Sequence, residues 1–331
     1  MAPATQKAAV IGQDGKIGVA EVAVPKPGPG QILVKVVAAA QNPTDWKSAF
    51  GGKCAGAIVG CDYAGIVEEI GPDVPAGLRS VGERVSAFVH GSTYPNGSFS
   101  EYLVAPAEVT VHLPDSWSFE DGAQIGVAPF TAAQTLWETF DDLPNPLEPA
   151  TTPIPILVYG ASSSVGQYVV QFAKLSGLKV FATASPKNHA LVKSLGADEV
   201  FDYHDPEVGA KIKAATGGKL THAVDCIAER RRHAGHRVCG AERRGRAHRH
   251  HSALLGKSYE FPYPYTVTDA KIQQGKDYAK LITKIVATGK VKPNPLLIMP
   301  KGLASVAEGL QLMYEGKVSG QKITYRISDT P

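Results

Sequence analysis

Apolar and polar positions follow two regimes along this chain. Over residues 1–125 the apolar runs are short, at 8–11, 17–24, 32–40 and 66–70, and Pro25, Pro27, Gly28, Pro29, Gly30 and Gly71 punctuate them. Many short strands separated by Gly/Pro turns predict a small, barrel-like β domain. From residue 156 the pattern changes. Ile156, Leu157 and Val158 predict a buried parallel strand, a turn of small residues follows, and residues 167–175 place Val169, Val170, Phe172, Ala173 and Leu175 at helical spacing. Strands at 179–184, 201–203 and 222–227 then alternate with helical patterns, as in a doubly wound sheet. Residues 121–140 read as helix, 143–155 as a proline-rich surface connection, and 322–327 as a closing strand.

The turn YGASSSVG at 159–166 is the chemical centre of this pattern. A strand, a tight small-residue turn and a helix start together aim backbone N–H groups at a pyrophosphate. Gly160 and Gly166 mark the two ends, and Ser163 stands where a middle glycine is usual. Ser162, Ser163, Ser164 and Val165 are the expected pyrophosphate contacts. The next strand ends in Ser185, Pro186, Lys187 and Asn188, where NAD-selective folds carry Asp or Glu for the ribose hydroxyl. A hydroxyl, an ammonium and an amide suit the 2′-phosphate of NADPH instead.

Composition narrows the class. At 331 residues with a net charge of +3, the chain has room for one or two domains. Cys54, Cys61, Cys226 and Cys239 form no C-x-x-C pair, which fits a reducing, cytoplasmic setting. The first residues lack a signal-peptide apolar core and no run approaches membrane-spanning length, so no membrane partner is expected.

The motifs NPTDWK at 42–47, GCDYAG at 60–65, VGERV at 81–85, GSFSEY at 97–102, FTAAQTLW at 130–137, YGASSSVG, SLGADEVFDY at 194–203 and EGKVSGQKI at 315–323 stand in one order. That order resembles the medium-chain dehydrogenase/reductase superfamily. Within it the chain is most similar to the zinc-free quinone-reductase-like branch, and especially to fungal trans-acting enoyl reductases and toxin-biosynthesis proteins. The resemblance implies an α/β fold: a GroES-like β-rich domain (1–125 and 291–331) plus a Rossmann doubly wound parallel sheet (126–290), with the active site in the cleft between them. It also implies a small-molecule or carrier-bound acyl substrate, a polyketide synthase as possible partner, and a monomer or homodimer.

Zinc-dependent members hold zinc through a Cys and a Gly-His-Glu motif. Here Asn42 takes the place of that Cys, and Gly60-Cys61-Asp62 that of Gly-His-Glu, so no metal is expected. Without that Lewis acid, reduction of a polarised C=C by NADPH suits the site better than alcohol oxidation. By resemblance, Thr44, Asp45, Trp46 and Lys47 lie beside the nicotinamide, Tyr203 packs at the adenosine end, and Val318 and Ser319 return to the cofactor. Lys47 and Thr131 are the candidate catalytic residues, to neutralise phosphate or enolate and to hydrogen-bond the thioester carbonyl. Tyr63 is a further candidate donor. A quinone oxidoreductase and a catalytically inactive NADPH-binding scaffold are the alternative functions.

One segment breaks the pattern. Residues 228–251 hold eight arginines and five of the ten histidines, where a helix and an apolar strand belong. Interleaved aromatics are missing, so a nucleic-acid surface is not expected, and the histidine spacing is irregular for a metal site. GC-rich codons read out of frame yield this composition, which makes a local frame shift or gene-model error our expectation. If the peptide is genuine, activity is in doubt.

Overall fold

The computed structural model describes residues 2–50, 54–92, 95–140, 142–227 and 269–331. The segment 228–251 lies outside the described residues. The chain forms two compact units, Met1–Phe130 with Val267–Pro331, and Thr131–Thr266.

In the first unit β1 (Thr5–Ile11) and β2 (Ile17–Ala23) pair antiparallel across a turn in which Gly15 takes φ +74°. The larger sheet has seven strands. β3 (Gln31–Ala40), β4 (Asp62–Ile70), β5 (Arg84–Phe88), β6 (Tyr102–Pro106) and β7 (Val111–His112) are joined by β12 (Leu296–Met299) and β13 (Lys322–Arg326) from the other end of the chain. The order is β12-β13-β3-β4-β5-β7, with β6 also on β3. β3 is central, and its sequence QILVKVVAAA is apolar almost throughout because it is covered on both faces. Ile32, Val34, Tyr63, Val85, Phe99, Leu103, Ile323 and Tyr325 share one core, all nearly inaccessible. Tyr63 is therefore corrected from candidate donor to core residue. It is fully buried, its hydroxyl pairs with Thr110 Oγ1 at 3.4 Å, and burial pushes its phenol up to about 12.

Helices decorate this frame. α1 (Pro43–Ala49) follows β3, and α2 (Phe119–Gly122) and α3 (Val127–Trp137) divide the single helix expected over 121–140. The division falls at Gly126, where a Cβ would stand 2.3 Å from Asp62 Oδ1. The backbone bends there to let that carboxylate in.

The second unit holds four parallel strands: β8 (Pro155–Tyr159), β9 (Lys179–Ala184), β10 (Glu199–Asp202) and β11 (His222–Asp225), in the order β10-β9-β8-β11. α4 (Ser164–Leu175), α5 (His189–Ser194) and α6 (Val208–Ala215) connect them. The strand–helix alternation in order β10-β9-β8 is the parallel architecture that the apolar runs predict. α4 starts at Ser164 rather than 167, so the small-residue turn is shorter than the sequence pattern implies. α7 (Asp269–Ala287) and α8 (Val306–Tyr314) complete the chain in the first unit. Among the described residues no helix is long and apolar enough to cross a membrane.

Candidate functional site

The dinucleotide turn is built around two glycines. Gly160 takes φ +73°, a region that L side chains avoid, and a Cβ on Gly166 would stand 2.4 Å from the Gly160 carbonyl oxygen. Both positions thus require glycine, and α4 can begin directly over the end of β8. Ser163 caps α4, its Oγ accepting the Gly166 N–H at 3.0 Å. β9 holds the turn from the side: Thr183 Oγ1 accepts the Gly160 N–H at 3.1 Å and the Thr183 carbonyl accepts the Ala161 N–H at 2.9 Å. Ser162, Ser163, Ser164 and Val165 are half-buried at this helix start. A twelve-residue helix opening on a tight turn of small residues is the donor set that a pyrophosphate needs. The residues fit a dinucleotide.

At the end of β9 the chain makes a single 3-10 turn, Pro186–Asn188. Pro186 and Lys187 are exposed and Ser185 half-buried, while Asn188 is buried with its Nδ2 donating to Ser185 Oγ at 3.3 Å. Asn188 holds the loop and Lys187 is its outward charge. Asp202 at the end of β10 is in register with Ala184, so a carboxylate does stand on the neighbouring strand. The His204 N–H and the Asp202 Oδ1 are 2.9 Å apart, the His204 ring lies at 2.8 Å, and both hold this carboxyl below its ordinary value. Tyr203 is half-buried, its ring 6.4 Å from that of Tyr159 and 4.0 Å from that of His204. The structure thus gathers 162–165, 185–188 and 203 at the ends of adjacent strands in one unit.

The other expected cofactor contacts lie in the first unit, while Thr131 is the first residue of the second. Asn42 precedes α1 and its N–H donates to Asp45 Oδ2 at 2.6 Å, while the Asp45 N–H donates to the Asn42 carbonyl at 3.0 Å. Asp45 is 1% exposed, so its carboxyl serves the helix start and not a ligand, a correction to its expected place among the cofactor contacts. Burial, first of all, raises that carboxyl to about 7, opposed by the Asn42 N–H and the Cys61 thiol. Thr44 is half-buried with Oγ1 3.8 Å from the Cys61 Sγ. Lys47 is exposed, its Nζ 5.6 Å from the centre of the Trp46 ring. Trp46 meets Tyr314 edge-on at 5.2 Å, and Tyr314 meets Phe50 at 5.7 Å. Val318 packs against the same core as Trp46, and Ser319 is exposed beside it in sequence. Thr131 is half-buried on α3, and its carbonyl accepts from Thr135 Oγ1 at 2.7 Å.

The sequence reading missed Lys322. It is 2% exposed, and its Nζ donates to Asn42 Oδ1 at 2.7 Å and to Asp62 Oδ2 at 3.0 Å. Sheet register explains the meeting. Ala40 pairs with Thr324 on one side and with Asp62 on the other, so residues 42, 62 and 322 converge at one end of β13-β3-β4. The available signal was a charged residue opening each of two strands, Asp62 before the run YAGIV and Lys322 before ITY. Burial raises the Asp62 carboxyl, while the Lys322 ammonium and the Val127 N–H oppose that shift.

These residues do not fit zinc. An ammonium already sits on the acceptor oxygens of Asn42 and Asp62, at the positions the zinc motif would use, and a divalent cation beside it would meet like charge. Among the described residues, no group of three or more His, Cys, Asp or Glu side chains converges to hold a metal ion.

Comparison with known proteins agrees with this architecture. The Alcohol dehydrogenase GroES-like domain family matches residues 28–115, and the Zinc-binding dehydrogenase family matches 164–237. The trans-enoyl reductase ACTTS2 of Alternaria alternata is 38% identical, with 98% of this chain and 99% of that protein covered. The trans-enoyl reductase ccsC of Aspergillus clavatus is 34% identical, covering 98% and 97%. Among solved structures, the human synaptic vesicle membrane protein VAT-1 homolog-like protein superposes with a TM-score of 0.75 at 20% identity, covering 99% of this chain and 100% of that one. An alcohol dehydrogenase superfamily protein from Novosphingobium aromaticivorans gives 0.72 at 21%, covering 97% and 99%.

Proposed function

This chain belongs to the medium-chain dehydrogenase/reductase superfamily, among its trans-enoyl reductases, and from that premise we propose a zinc-free, NADPH-dependent reductase of enoyl thioesters that works beside a polyketide synthase in the cytoplasm. Family membership implies a nicotinamide cofactor. The observation that carries the reading is the tight, Ser163-capped turn between Gly160 and Gly166 with the Ser185–Lys187 loop at the end of the adjoining strand.

Ser162, Ser163, Ser164 and Val165 hold the pyrophosphate at the α4 start, and Ser185 and Lys187 hold the 2′-phosphate. Asn188 fixes their loop, and Tyr203 covers the adenosine end. When bound, the reduced nicotinamide supplies a hydride for the β-carbon of the substrate. Thr131 donates a hydrogen bond to the thioester carbonyl, where negative charge develops as the double bond is lost. The Lys47 ammonium offsets that charge or the cofactor phosphates. The α-carbon takes its proton from water. Thr44, Trp46, Val318 and Ser319 border the nicotinamide.

The test is turnover. The purified protein with NADPH is offered a short enoyl thioester on a carrier domain, the same acyl group on a small thiol, and a quinone. Saturated thioester forming with matching NADPH loss supports the reading. Quinone turnover alone assigns the chain to quinone reduction, and loss of both activities with cofactor still bound assigns it to a scaffold.

A further inference from the structure

We propose that Lys322 and Asp62 are positioning residues, one buried ion pair that sets the starts of both helices bearing the candidate catalytic side chains. The inference rests on the reductase reading above.

Asp62 divides its carboxylate between two duties. Oδ2 accepts from Lys322 at 3.0 Å, and Oδ1 accepts the N–H of Val127, the first residue of α3, at 2.8 Å. Lys322 divides its ammonium likewise, with a second bond to Asn42 Oδ1 at 2.7 Å, at the residue that precedes α1. α1 carries Thr44 and Lys47, and α3 carries Thr131 about one turn beyond Val127. One ion pair therefore links two helix starts that are 85 positions apart in sequence (127 − 42). Glycine at 126 is what admits Asp62, since a Cβ there would stand 2.3 Å from its Oδ1.

Both charges are out of water, with side chains 2% and 0% exposed. Such a pair costs more to desolvate than a matched apolar pair would, so stability alone is a poor reason for it. An apolar pair cannot aim hydrogen bonds at two helix termini. This pair can, and catalysis is sensitive to displacements well under the width of an atom. Lys322 and Asp62 touch neither substrate nor cofactor in this account. They act through Asn42 and Val127.

The experiment uses the full-length protein carrying Lys322→Met with Asp62→Asn, which removes both charges of the pair together, and separately Gly126→Ala, whose methyl pushes on Asp62 and on the Ala87 carbonyl with both charges kept. Each is measured for thermal midpoint, NADPH affinity, kcat and KM on the carrier-bound enoyl thioester, and amide hydrogen exchange. We expect both variants to fold and bind NADPH within about threefold of the parent, while kcat falls by about 30-fold or more with KM little changed. Exchange should accelerate together at the Asn42, Asp45 and Val127 amides. A folded, cofactor-binding double variant with kcat within about threefold of the parent would overturn the proposal. If the parent itself turns over no thioester, the reductase reading falls. The anchor is then judged by exchange alone, where joint acceleration upholds it and unchanged protection overturns it.

Discussion

The Asn42 N–H reaches Asp45 Oδ2 at 2.6 Å inside the protein, so a helix start is held by a carboxyl that burial raises to about 7. The folded-state value stands above the ordinary 3.8, so the folded protein keeps this proton to higher pH than the unfolded chain does. The contribution is fully present below about pH 4 and is lost as pH rises through 7. Asp45→Asn keeps an acceptor for the Asn42 N–H and removes the titration. The variant should gain on the parent as pH rises from 4 to 8, by at most on the order of 4 kcal/mol at the alkaline end. Parallel thermal-midpoint curves for the two proteins across that range would refute the assignment.

Gly166→Ala tests the dinucleotide turn. The new methyl would meet Gly160 backbone, which has no flexible end to swing away. Cofactor affinity should fall by about tenfold or more, and stability by about 1–3 kcal/mol. Ser163→Ala is the milder companion. It removes the α4 cap together with the Ser163 Oγ bond to the Cys226 carbonyl at 3.4 Å, and should cost about 1 kcal/mol in chemical denaturation.

Lys187 is the exposed charge of its loop, and its effect should be confined to the cofactor that carries a 2′-phosphate. In calorimetric titration, Lys187→Ala should weaken NADPH by about tenfold, equivalent to ~1.4 kcal/mol, and leave NADH unchanged. Equal losses for both cofactors would move Lys187 away from the 2′-phosphate.

Thr131→Val keeps the shape of the side chain and deletes its hydroxyl. Loss of a donor to a developing oxyanion should lower kcat by about 10²-fold with NADPH affinity retained. A kcat equal to the parent's would remove Thr131 from the chemistry.

Local features were readable from the sequence, and long-range ones were not. The strand at 156–158, the glycines at 160 and 166 and the loop at 185–188 declare themselves because each is set by neighbours a few residues away. The apolar run at 32–40 likewise announces β3 as a strand, while its cover on both faces is visible only in the fold. Asp45 was placed beside the nicotinamide by resemblance of the whole NPTDWK motif, which does not separate inward from outward side chains; its partner is the N–H three residues back and its surroundings are Cys61, Asp62 and Lys322. Lys322 was missed because the register that delivers it to Asn42 and Asp62 joins positions 280 and 260 residues apart. Asp202 was overlooked for the same reason. It lies beside the end of β9 only once β10 has paired with it.

The most direct measurement follows the transferred hydrogen. The purified protein is given NADPH deuterated at the transferable nicotinamide position and an enoyl thioester on a carrier domain, and the acyl product is released and analysed by mass spectrometry. The account predicts a saturated acyl chain with one deuterium at the β-carbon. A substrate recovered unsaturated while NADPH binds, or a saturated product carrying no deuterium there, would contradict it.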